Sequence, residues 1–314
     1  MTRYRWVTAR KAEGFPTTLC CRVARVSRQA FYGWRAACGA PPTAREAADA
    51  ALVAEIREIW AGSGEAYGSP RVTAELRARG HRVNPKRVAR LMRAHRIAGI
   101  RPRRPKRTTT PARHKPALPD LLNRQFSPGA PDRAWCSDIT YVRTGEGWLY
   151  LAVVLDVGSR RLLGYAMGDR IDTRLVIDAL DMAAHTRAGR TTGTVFHSDH
   201  GSQYLAGKLR KTAAGWGLAQ SVGRVGSSAD NALVEAFFSS LKRELVNRRR
   251  YPDRATARRS IFEWLARYNT TRRHTSLNCL TPDQYEAHYR LPSHPGNHPR
   301  VIHLTGQRGE APFL

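Results

Sequence analysis

"TVFHSDHGSQYLA" occupies residues 194–206. It opens as a short apolar run, the pattern of a buried strand, and then sets His197, Ser198, Asp199 and His200 in a row. Side chains alternate along a strand, so Ser198, Asp199 and His200 cannot converge as a Ser-His-Asp triad. A zinc site built on His197 and His200 lacks other ligands nearby. The simpler reading is a carboxylate, Asp199, held at the open end of a strand, with Gly201 permitting the turn. His197 reads equally as a packed, hydrogen-bonded histidine or as a group supporting Asp199.

Working outward, "RAWCSDITYVRTGEGWLYLAVVLDVGSRRLLGYAMGD" (133–169) predicts strands near 134–142, 148–156 and 161–168. The second is apolar on both faces, as a strand covered on two sides must be. An amphipathic helix follows at 173–187, then the strand at 194–198, a helix at 205–217, a short strand at 218–223 and a helix at 230–245 capped by Asp230. Two more acids fall on this framework. Asp138 lies inside the first strand, 61 positions before Asp199, and Glu235 lies on the last helix, 36 positions after it. At about 100° per residue, Asn231 sits about 40° from Glu235 and Lys242 about 20° from it, two turns along. One polar stripe thus carries an amide, a carboxylate and an ammonium, while Leu233, Val234, Phe237, Leu241 and Leu245 take the remaining arc. Asp156, at the end of the second strand, reads as a turn carboxylate.

The 314 residues suffice for one sizeable domain and smaller ones, and 41% hydrophobic content supports a core. The net charge is +28, and it is segregated. Between Arg71 and Lys115 there are 16 Lys/Arg against Glu75 alone, whereas Asp132 to Glu244 holds 14 Lys/Arg against 12 Asp/Glu. A basic front joined to a balanced middle suggests a polyanion-binding module attached to something that needs carboxylates. The five cysteines are odd in number and form no CxxC, which reads as reduced thiols. The chain carries no secretion-signal pattern, and its most apolar run, Trp148–Leu155, is far shorter than the roughly 20 residues of a spanning helix. The expectation is a cytoplasmic protein with no membrane partner.

Two helix-turn-helix patterns sit in the basic front. In "TTLCCRVARVSRQAFYGWR" (17–35) an apolar helix through Leu19 and Val23 precedes Ser27, a good N-cap, with Val26 and Phe31 placed as a hydrophobic staple. Arg28 and Gln29 then project from the start of the second helix, where a recognition helix offers side chains to bases. In "SPRVTAELRARGHRVNPKRVARLMRAHRIAG" (69–99) Gly80 closes one helix, Asn84 caps the next and Pro85 takes its first position. Val88, Leu91 and Met92 point inward, Lys86, Arg87, Arg90 and Arg93 outward. A preceding helix near 45–60 supplies Leu52, Ile56 and Ile59. The divisions are a helix-turn-helix segment (1–40), a second helical module (41–100), a basic linker (101–127), a catalytic-type core (128–246), a helical extension (247–290) and a tail (291–314).

Together, "WCSDITYV" (135–142), "HSDHGSQY" (197–204) and "DNALVEAFFSSLKRE" (230–244) resemble the catalytic core of DDE transposases and retroviral-type integrases, and 35 residues separate Asp199 from Glu235 as in the D,D(35)E signature. "CRVARVSRQAFYGWR" (21–35) and "YNTTRRHTSLNCLTPDQYE" (268–286) resemble the OrfB transposases of bacterial insertion sequences, so the resemblance runs over roughly 15–290. Where that family usually reads closer to "LGYLSP", this chain has Leu277-Asn278-Cys279-Leu280-Thr281-Pro282, which puts local packing in question. The resemblance implies an α/β, ribonuclease H-like fold: a mixed five-stranded sheet flanked by helices and preceded by all-α helix-turn-helix modules. It implies two Mg²⁺ ions, with Mn²⁺ as a substitute, held by Asp138, Asp199 and Glu235, and Lys242 holding the DNA end. It implies DNA cleavage and strand transfer at an insertion sequence's terminal inverted repeats and a target, by a homo-oligomer on DNA fused to an OrfA-type product. No HHCC zinc pattern is present. The competing readings are a non-catalytic DNA-binding regulator and a simple nuclease of the same fold.

Overall fold

The computed structural model describes residues 2–100, 119–122, 127, 129–223 and 231–290. The predicted Asp230 cap, nearly all of the linker and the tail lie outside the described residues.

At the front, α1 (Arg3–Ala12), α2 (Thr17–Val23) and α3 (Arg28–Gly39) enclose a small core of Val7, Cys20, Cys21 and Phe31. The Ser27 hydroxyl accepts from the Ala30 N–H at 3.0 Å, and Val26 packs on the same cluster as Phe31, so the cap and staple form. The inward face of α2 differs from the expectation: Leu19 and Val23 are exposed and the two cysteines are buried. The cause is α1, which the sequence reading lacked; Val7 rotates α2 so that Cys20 and Cys21 face inward.

α4 (Ala44–Gly62), α5 (Ser69–Ala78) and α6 (Pro85–Ala94) form the second module around Leu52, Ile56, Leu76, Val88 and Leu91. Thr43 and Glu46 make a reciprocal capping box at the start of α4. Gly80 follows α5 with φ +92°, and the Asn84 side chain accepts from the Lys86 N–H at 2.8 Å to start α6.

The core is a five-stranded sheet in the order β3-β2-β1-β4-β5, with β1 (Ala134–Thr144), β2 (Gly147–Asp156), β3 (Leu162–Gly168), β4 (Val195–Ser198) and β5 (Ala219–Val222). β1, β2 and β3 are antiparallel neighbours, while β4 and β5 join in parallel. This is the mixed sheet the resemblance implies. α7 (Thr173–Thr186) covers one face through Val176, Ala179, Leu180 and Ala183. It lies so close that a Cβ on Gly164 would collide with the Ala179 carbonyl. The helix expected at 205–217 is broken: α8 (Ser202–Leu205) and α9 (Gly207–Gly215) are separated by Ala206 in an extended conformation. On the other face lie α10 (Ala232–Glu244) and α11 (Arg254–Thr270), packing Leu233, Phe237, Leu241, Ile261 and Trp264 on Cys136, Val142, Leu151 and Val153.

α12 (Pro282–Arg290) closes the chain through a buried polar network. Arg187 donates to Glu286 and Asp132, and the Ser159 hydroxyl lies 2.8 Å from an oxygen of each of Glu286 and Asp156. Asp156 also accepts from the backbone N–H groups of Asp132 and Ser159, both at 2.6 Å, as a turn carboxylate should. Asn278, where the family pattern carries glycine, adopts φ +53°, a left-handed conformation that asparagine tolerates better than most residues. The departure therefore keeps the turn.

Burial alone would raise the Glu286 carboxyl, but the hydrogen bonds and charge of Arg187 bring it below its ordinary value. Its contribution to stability is thus present above the unfolded carboxylate value and lost as pH falls through the lower, folded one. Glu286→Ala should cost roughly 3 kcal/mol at neutral pH, because it leaves Arg187 buried with less counter-charge. Urea denaturation measures this, and the gap from wild type should narrow in acid.

Candidate active site

Strand register brings the first two acids together. Cys136 on β1 pairs with His197 on β4. Two residues further along these parallel neighbours stand Asp138 and Asp199, on strands roughly 4.8 Å apart. Asp199 lies just past the last residue of β4, exposed, and its carboxylate accepts from the Gly201 N–H at 2.9 Å. A Cβ on Gly201 would press at 3.1 Å on that same oxygen, so the glycine keeps the turn clear beside the acid.

The third acid arrives on α10. Asn231, at the start of this helix, is buried and donates its amide to the Ser137 carbonyl at 3.3 Å, pinning the helix to β1 next to Asp138. Glu235 stands one turn further on and is exposed. The Asp138 carboxyl is half-buried and is pushed up to about 7, by burial first and then by the negative charge of Asp199 and, more weakly, of Glu235. Lys242 opposes that rise and is the one cation among its principal influences. Burial in turn lowers the Lys242 ammonium, whose Nζ lies 5.2 Å from the centre of the Tyr141 ring.

These acids share one electrostatic neighbourhood without forming a finished cage. Among the described residues, no group of three or more His, Cys, Asp and Glu side chains is gathered tightly enough to hold a metal ion.

The structure moves other expected residues. Asn231 turns inward to Ser137 and ties helix to strand; the helical wheel fixed its azimuth, but it lies at the helix start, next to β1. Arg87 and Arg90 are both bonded to Asp49 of α4, at 2.6 and 2.7 Å, because α4 runs beside α6. Arg28, Gln29, Lys86 and Arg93 are exposed. His197 is buried with Nδ1 2.9 Å from the Ser221 hydroxyl on β5. Sequence reasoning missed Tyr204, whose buried hydroxyl meets that of Ser137 at 2.9 Å beside Asp138; its place within "HSDHGSQY" was the available signal.

A sheet of this order, entered by helical modules and carrying acids on β1, after β4 and on α10, defines a transposase or integrase core. The integrase core domain family matches residues 128–228 and, in a second form, 216–282, and an HTH-like domain matches 46–105. Transposase InsF for insertion sequence IS3A, from Escherichia coli strain K12, is 35% identical over 288 residues, covering 90% of this chain and 98% of InsF. The insertion element IS600 uncharacterized 31 kDa protein of Shigella sonnei is 37% identical over 270 residues, covering 86% and 98%. The chain belongs to the insertion-sequence transposase family of InsF. Solved structures resembling it include a simian T-cell lymphotropic virus intasome in complex with PP2A regulatory subunit B56 gamma (TM-score 0.45, 18% identity, 74% of this chain and 75% of that one). Another is the HTLV-2 integrase catalytic core domain in complex with magnesium, dimeric form (TM-score 0.38, 17% identity, 49% and 96%). Among the described residues no helix is long and apolar enough to cross a membrane.

Because the folded Asp138 carboxyl keeps its proton to about pH 7, the metal-free protein should lose stability as pH rises from the unfolded value, about 4, towards 7. The full effect is at most roughly 4 kcal/mol. In EDTA, Asp138→Asn should raise the urea midpoint at about pH 8 and flatten this slope. A variant less stable than wild type at that pH would contradict the assigned electrostatics.

Proposed function

We propose that this transposase cuts DNA at the ends of its insertion sequence and joins the freed ends to a target, using Asp138, Asp199 and Glu235 as ligands for divalent cations. The supporting observation is the partly buried Asp138 carboxyl, raised by burial first and then by the charges of two further acids, and opposed by the Ile139 N–H and one ammonium. Carboxylates left so poorly compensated favour a doubly charged, oxygen-seeking cation that draws them together, and the donor set suits Mg²⁺, with Mn²⁺ as a substitute. A pair of such ions, when bound, supplies a Lewis acid for the entering and leaving oxygens of an in-line displacement at phosphorus.

The protein's own groups then have separate tasks. Asp138, Asp199 and Glu235 would together hold the cations. Lys242, beside Asp138, would hold the phosphate of the DNA end near the acids. No side chain need form a covalent intermediate, since water or a DNA 3′-hydroxyl is the nucleophile. The exposed cations of the helical front, Arg28, Lys86 and Arg93, would hold the terminal repeat together with Gln29. Partnership with an OrfA-type product and assembly into a homo-oligomer on DNA extend this reading from the family.

Asp138→Asn, Asp199→Asn and Glu235→Gln should each lower nicking and joining by roughly a thousandfold, the equivalent of ~4 kcal/mol, with DNA binding retained. Unchanged activity in all three would favour a non-catalytic regulator. Release of cut DNA without joined product, on labelled ends, would favour a simple nuclease. If the basic front neutralises about six phosphates, the log–log dependence of DNA affinity on salt should have a slope near about −5. A flat response would remove that role.

A further inference from the structure

The hairpin of β1 and β2 outruns the sheet that carries it. β1 reaches Thr144, yet its outer edge pairs with β4 only at Ala134, Trp135 and Cys136. The projecting arm is held from behind: Gly145 donates to the Tyr251 carbonyl at 2.9 Å, and Arg254 donates to the Trp148 carbonyl at 3.0 Å. Between this arm and the segment after α10 runs a groove of about 770 Å³, whose lining includes Tyr141, Arg143, Trp148, Lys242, Arg249 and Arg250.

Its chemistry is one-sided. Four cations line it and no carboxylate does, and among the described residues none of the four is engaged in an ion pair. Arg143 stands opposite Trp148 in the hairpin register, and Tyr141 lies two residues before Arg143, so all three share one face of the arm. Tyr141 and Trp148 are 55% and 44% exposed, which leaves large ring area in water at the groove. They meet edge to face, centroids 5.0 Å apart. Lys242 joins this groove to the acids: its ammonium stands over Tyr141 and also interacts with Asp138.

Cations alone would suit any polyanion. Exposed aromatic faces among them are more selective, since they match a strand whose bases are available for stacking. A duplex keeps its base faces covered by neighbours; an unpaired nucleotide does not. We propose that this groove binds an unpaired stretch of DNA next to the acids, its bases stacked on Trp148 and Tyr141 and its phosphates on Arg143, Arg249, Arg250 and Lys242. The inference rests on the proposed function only in taking DNA as the ligand. It adds that the strand beside the acids is held open.

The test is a binding measurement on the full chain in EDTA, so that no cutting intervenes. Oligonucleotide duplexes with a short single-stranded 3′ end, labelled there with 2-aminopurine, are compared with blunt duplexes. Wild type should prefer the single-stranded end and change the probe's fluorescence. Trp148→Ala should weaken binding to that end roughly tenfold and to the blunt duplex less than about twofold, while Trp148→Phe retains most of the preference. Tyr141→Ala provides a second variant should Trp148→Ala fail to fold. Arg143→Ala with Arg250→Ala should reduce the salt slope by about two. Folded Trp148→Ala or Tyr141→Ala protein that binds the open end like wild type would overturn the groove. A wild type that prefers the open end through Trp148, yet never cuts DNA with Mg²⁺, would sink the cutting chemistry and leave the groove standing.

Discussion

Three residue pairs at the middle of the sheet, Ala134, Trp135 and Cys136 against Val195, Phe196 and His197, determine the rest of this molecule's arrangement. Their parallel register sets Asp199 beside Asp138, since each acid lies two positions beyond the Cys136–His197 pair. Their small number matters as much. Pairing that stops at Cys136 leaves the outer edge of β1 open, so Asn231 can reach the Ser137 carbonyl and bring α10 alongside. A longer β4 would fill the space where the acids meet. A slip of one residue would move Asp138 to the other face of the sheet, away from α10.

Much of this was legible because it is local. The strands of the core, the Ser27 and Asn84 caps and the left-handed Gly80 follow from short-range rules, and all of them form. What failed was orientation set by distant neighbours. Leu19 and Val23 read as an inward face, but α1 decides which side of α2 is buried. Asn231 had the right azimuth for the polar stripe, yet it lies at the helix start against β1, where the nearby carbonyl captures its amide. Arg87 and Arg90 read as outward cations and stay partly or largely exposed; their pairing with Asp49, about 40 residues away in sequence, had no local signal. The acids were singled out by family spacing; their electrostatic coupling depends on register, which composition and periodicity do not contain. Tyr141 and Trp148 carried no signal at all, since an aromatic pair in a strand ordinarily reads as core.

The motif near the C-terminus illustrates a different kind of gap. "YNTTRRH" had a recognisable pattern but no chemical task. In the fold it is a junction. Asn269 grips both backbone groups of Leu162 at the edge of β3, and Arg272 makes a two-pronged bond to Glu244 at the end of α10. On its other side, the Tyr67 hydroxyl donates to the Thr271 carbonyl and accepts from the Arg273 N–H, while Arg273 pairs with Glu75 of α5. Consecutive residues thus touch the sheet, the helix of Glu235 and the second helical module. The contacts are polar and specific in direction, so they fix an orientation as well as a distance. α6 of that module keeps Lys86 and Arg93 exposed.

A chain with 53 Lys/Arg against 25 Asp/Glu could easily neutralise three acids, and this one does not. The core's buried cations are committed to other carboxylates: Arg187 to Glu286 and Asp132, Arg272 to Glu244. Those pairs make the frame rigid and remove its charges from the neighbourhood of Asp138. What remains beside Asp138 is Lys242, itself weakened by burial and turned towards the Tyr141 ring. A second buried arginine there would bring the Asp138 carboxyl back down. The distribution therefore matters more than the total. Positive charge accumulates on the helical front and along the hairpin groove, where a polyanion can be met in water, and is sparse beside Asp138.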